Sequence, residues 1–93
     1  MKDVLGYIEN NKERYLKELT EFLAIPSVST NPENTGDIRR CADWVADHLR
    51  SIGIPDVRIM ATPGHPVVYG AWMDAPGKPT VLIYGHYDVQ PPE

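Results

Sequence analysis

Leu5, Ile8, Tyr15, Leu16, Leu19, Phe22 and Leu23 recur at spacings of three, four and seven. That stripe predicts an amphipathic helix over about Asp3 to Ala24, with Glu13 and Lys17 paired on its wet side. Pro26 disfavours helical geometry at Ile25 and ends it. Ser27 to Glu33 is a loop carrying the turn formers Asn31 and Pro32. A second stripe, Ile38, Cys41, Val45, Leu49 and Ile52, predicts a second helix, with Trp44 and His48 flanking it. Asn34 or Thr35 serves as its cap, and Asp37 places negative charge in the first turn. Gly53, followed by Ile54-Pro55, stops it, because glycine adopts the left-handed cap cheaply.

Beyond Pro55 the pattern turns to β. Val57–Met60 and Val67–Met73 predict two strands joined by a turn at Thr62–Pro66. Asp74–Gly77 makes another turn, and Thr80–Tyr84 is a predicted third strand. Val81-Leu82-Ile83-Tyr84 is apolar without alternation, which suits a strand covered on both faces. The order α-α-β-β-β predicts an α/β fold, the opening of a layered domain. Two helices and two partner strands barely cover such a strand, and GHYDVQPPE follows with no closing helix. The expectation is that residues 1–93 are one portion of a larger domain.

Composition adds limits. A chain of 93 residues buries only about 60–65% of the surface it exposes when unfolded, so its stability is marginal. A net charge of −4 argues against nucleic acid, which needs clustered Lys and Arg. Arg39-Arg40 reads as a solvated helix face. No apolar run approaches the roughly 20 residues of a membrane span, and the charged N-terminus lacks a signal-peptide core. The lone Cys41 excludes an internal disulfide and suits a reducing compartment, so the expected location is the cytoplasm.

The candidate chemistry lies in Gly85-His86-Tyr87-Asp88-Val89-Gln90-Pro91. On an extended backbone, His86 and Asp88 project to the same side. At the carboxyl end of a strand they would stand where α/β sheets bind ligands. Imidazole is a common zinc ligand, and a neighbouring carboxylate fixes its tautomer. The plainer alternative is a strand-end histidine hydrogen-bonded to aspartate and solvent. Cys41 and His48 lie two turns apart, about 10 Å along the axis, too far for one metal. They fit a buried thiol and a half-buried imidazole. His65, in a Gly-His-Pro turn, is expected to be exposed, and Trp44 and Trp72 to fill core.

VLIYGHYDVQPPE resembles the first metal-ligand signature of the zinc peptidase family M-twenty. LKELTEFLAIPSVSTNPEN is similar to the family's N-terminal helix and Pro-Ser-Val-Ser loop, and RRCADWVADHLRSIGI to its second helix. The Asp-Val-Gln-Pro form is closest to the dipeptidase branch. The resemblance implies a catalytic domain with two zinc ions, a bridging aspartate, and a glutamate acting as general base on a metal-bound water. It makes His86 a metal ligand and Asp88 the catalytic-site residue that orients it. The other ligands and the general base follow this motif in the family; Glu93, beyond two prolines, does not match that glutamate. The family's lid and dimerisation domain is likewise expected to lie outside these residues. These 93 residues are thus expected to be inactive alone and to hold at most one zinc ion weakly. The implied partners are a dipeptide or N-acyl amino acid substrate, the rest of the catalytic domain, and a second subunit in a homodimer. A deacylase of the same family stays open. So does a stand-alone interaction domain that binds through its sheet edge.

Overall fold

The computed structural model describes residues 1–92; Glu93, set aside above as a catalytic glutamate, lies outside the described residues. The predicted first helix forms as two, α1 (Lys2–Asn10) and α2 (Lys12–Leu23). Asn11 divides them at φ −112° and ψ 10°. Its side-chain amide and its own N–H both donate to the Tyr7 carbonyl, at 2.8 and 3.1 Å. A side chain that competes for a backbone acceptor breaks helical continuity, which periodicity alone does not register. Glu13 and Lys17 do not pair; Arg14 instead lies 3.6 Å from Glu18.

A 3-10 turn, Pro32–Asn34, is capped by the Asn31 side chain, which accepts from the Glu33 N–H. Helix α3 follows at once over Thr35–Ser51, with Asn34 as its N-cap. The Asn34 amide donates to Asp37 rather than capping the backbone. Gly53 adopts φ +92°, as its stop role demands. The buried face of α3, Ile38, Cys41, Ala42 and Ala46, supplies most of the core, with Ser27 and Val28 closing one side. Trp44 is stacked between Phe22 of α2 and His48, at centroid distances of 5.2 and 5.1 Å. Arg39 and Arg40 are exposed and matched to Asp43 and Asp37, a solvated face as expected.

Strands β1 (Asp56–Met60) and β2 (Val67–Ala71) form an antiparallel hairpin in which Asp56 faces Ala71 and Met60 faces Val67. Its turn is held by Thr62, whose hydroxyl donates to the His65 carbonyl and accepts from the Gly64 N–H. The hairpin packs on α3 at Gly70, where an added Cβ would stand 3.1 Å from Leu49 Cδ1. The absence of a side chain at Gly70 is what admits the helix so closely.

Two further expectations about the fold need correction. Thr80–Tyr84 is not a strand: the sheet has only β1 and β2 among the described residues. The run is open to solvent, Leu82 being 92% exposed. An apolar run becomes a strand only when neighbours supply ladder partners, and none lies beside this one among the described residues. Trp72 is 53% exposed and not a core residue. Large apolar side chains are uncovered elsewhere too, including Leu5, Leu16 and Leu23. The radius of gyration, 15.6 Å, exceeds the roughly 12 Å of a compact chain this long. The structure is a partial α/β domain.

Candidate metal centre

The His86 motif reaches the fold through the loop that follows α2. Val28 and Val89 pair as a lone parallel bridge, and the Val89 N–H donates to the Ser27 carbonyl at 2.9 Å. The Ser27 hydroxyl, buried, donates to the Tyr87 carbonyl at 2.8 Å, and the Cys41 thiol approaches the same oxygen at 3.6 Å. Burial pushes the Cys41 thiol up, so it stays protonated and able to donate. Burial likewise raises the Tyr87 phenol, whose hydroxyl donates to Pro66.

This docking brings His86 and Asp88 together. His86 Nδ1 lies 3.1 Å from Asp88 Oδ1 and 3.1 Å from the Asp88 carbonyl. Both partners are acceptors, so in the neutral ring Nδ1 carries the proton and Nε2 presents its lone pair. The imidazole is 77% exposed. Asp88 Oδ2 accepts from the Ser29 hydroxyl at 2.6 Å. That bond, with the weaker help of His86 and against some burial, holds the Asp88 carboxyl below the usual carboxylate range. The pair does not stand at the end of a sheet strand, as the sequence predicts, because the preceding run is not one.

An apolar groove of about 650 Å³, lined by Phe22, Trp44, Leu49 and Ile83, opens beside the pair and includes both residues. Cys41 and His48 are not brought together: the thiol faces Tyr87, while His48 stacks on Trp44 with Nε2 3.8 Å from Glu18. His65 is exposed, as expected, yet its Nε2 donates to the Ser29 carbonyl at 2.8 Å. Among the described residues no group of three or more His, Cys, Asp or Glu is placed to hold a metal ion. One imidazole nitrogen with a carboxylate behind it suits a single ligand position. Ser27, Ser29 and Tyr87 were given no role by sequence reasoning. The signal for the two serines is the Ser-x-Ser spacing, which on extended chain sends both hydroxyls to one side.

No family model matches the chain. The Cys-Gly metallodipeptidase of Candida albicans is 32% identical over 103 residues, covering 98% of this chain and 21% of that protein. The Beta-Ala-His dipeptidase of Rattus norvegicus is 30% identical over 105 residues, with the same two coverages. A solved dipeptidase from Saccharomyces cerevisiae superimposes with a TM-score of 0.89 at 30% identity, over 97% of this chain and 21% of that one. The chain belongs to peptidase family M-twenty. It spans about a fifth of the length of the curated family relatives it matches. No helix among its described residues is long and apolar enough to cross a membrane.

Proposed function

We propose that the whole protein is a metal-dependent dipeptidase, and that residues 1–93 are a portion of its catalytic domain. In this reading His86 Nε2 is one metal ligand, and Asp88 orients the ring through Nδ1. The observation that carries it is the 3.1 Å contact of His86 Nδ1 with Asp88 Oδ1, which leaves the ligating nitrogen outward. The dipeptidase relatives support this branch over a deacylase.

A hydrolytic metal needs about three protein ligands and a water, so the other ligands and the general base come from residues outside this set. When bound, the divalent ion, which we take to be one of two zincs, acidifies water and polarises the scissile carbonyl. Asp88 holds the His86 tautomer and the ring plane. The groove beside the pair, together with the uncovered run at Val81–Tyr84, is the face that receives the remainder of the domain. The substrate is a dipeptide, the assembly a homodimer, and the location the cytoplasm, where the free thiol of Cys41 is stable.

The test compares metal content and dipeptide turnover in the full-length protein. His86→Ala should lose metal occupancy, while Asp88→Ala should lose mainly turnover and weaken metal binding about 10- to 100-fold. Full occupancy in His86→Ala, or equal metal loss in both variants, rejects the assignment.

A further inference from the structure

Asp88 is gripped at both carboxylate oxygens. Oδ1 accepts from His86 Nδ1, and Oδ2 accepts from Ser29 Oγ at 2.6 Å, the shorter of the two bonds. The terminal torsion of an aspartate is broad and intrinsically soft. One contact fixes where the carboxylate lies; two fix the direction of its plane. Removing the Ser29 hydroxyl leaves Oδ1 free to swing away from the ring.

Ser29 is itself held from two directions. On one side, the Val28–Val89 bridge and the bond from Val89 N–H to the Ser27 carbonyl lock the loop against the His86 motif. On the other, the Ser29 carbonyl accepts from His65 Nε2 at 2.8 Å, which ties it to the hairpin turn. A hydroxyl carried on a backbone fixed at both ends is pre-organised, and such support is what keeps a ligand within its productive orientation.

We propose that Ser29 is a positioning residue for the metal centre: its hydroxyl sets the plane of the Asp88 carboxylate, and through it the orientation of His86. The proposal rests on the dipeptidase reading given above. Ser29 touches neither metal nor substrate in this scheme; it acts only through Asp88. The simpler role, a staple that merely fastens the loop, belongs equally to Ser27, whose hydroxyl bonds the Tyr87 carbonyl and no carboxylate. Ser27 therefore supplies the structural control.

The experiment uses the full-length protein and measures the Zn²⁺ dissociation constant by chelator competition, with kcat and KM for a dipeptide alongside. Ser29→Ala should weaken Zn²⁺ binding about tenfold, the low end for groups hydrogen-bonded behind a ligand, and should lower kcat with KM unchanged. Ser29→Thr, which keeps the hydroxyl, should restore most of both. Ser27→Ala should lower the melting temperature and leave Zn²⁺ binding close to that of the parent. The proposal is overturned if Ser29→Ala binds Zn²⁺ as the parent does while His86→Ala loses it; the dipeptidase reading then survives alone. Equal weakening in Ser29→Ala and Ser27→Ala overturns it in favour of a staple. Parental Zn²⁺ binding in His86→Ala removes the dipeptidase reading itself, and this proposal with it.

Discussion

The Tyr87 hydroxyl donates to the Pro66 carbonyl over 2.6 Å, joining the middle of the His86 motif to the hairpin turn. The bond is part-buried, and its donor stays protonated because burial raises the phenol. With the His65 contact to Ser29, it fixes the turn to both strands of chain that build the candidate centre.

Tyr87→Phe deletes that hydroxyl and leaves the Pro66 carbonyl without its partner. A loss of about 0.5–1.5 kcal/mol in urea unfolding is expected for one neutral hydrogen bond. No change would mean that the turn is held by other contacts.

Leu82 tests what covers the apolar run. It is 92% exposed in this structure, and a polar residue there would be nearly neutral if the exposure persisted. If the remainder of the catalytic domain packs on the run, Leu82→Ser in the full-length protein should cost about 1.5–3 kcal/mol. A neutral result would leave the run without a structural partner.

Cys41 gives a pH dependence. Burial raises its pKa above the ordinary thiol value of 9.0, with Ser27 and Arg40 opposing more weakly. A raised folded pKa means that the stabilising difference is fully present below the unfolded value and is lost as pH rises through the folded one. Urea midpoints should therefore fall above about pH 9, and the fall should be smaller in Cys41→Ala. Iodoacetamide should label Cys41 only after unfolding, since the side chain is fully buried. Equal labelling of the native protein would contradict that burial.

Local order was legible where short-range physics decides it. The stripe of α3, the stop at Gly53 and the hairpin turn follow from spacing, left-handed permissiveness and side-chain bonds within a few residues. His86 and Asp88, two apart, needed only an extended backbone to meet. The break at Asn11 was less visible, because one amide competing for the Tyr7 carbonyl leaves the apolar period intact.

What the sequence by itself determined is thus the third helix with its stop, the hairpin and the identity of the pair that meets at residues 86 and 88. Only the tertiary structure decided that the loop at Ser27–Ser29 lies against the motif, and that Val81–Tyr84 has no ladder partner among the described residues. Those contacts join residues some sixty positions apart, and no local period encodes which distant backbone supplies a hydrogen-bond partner.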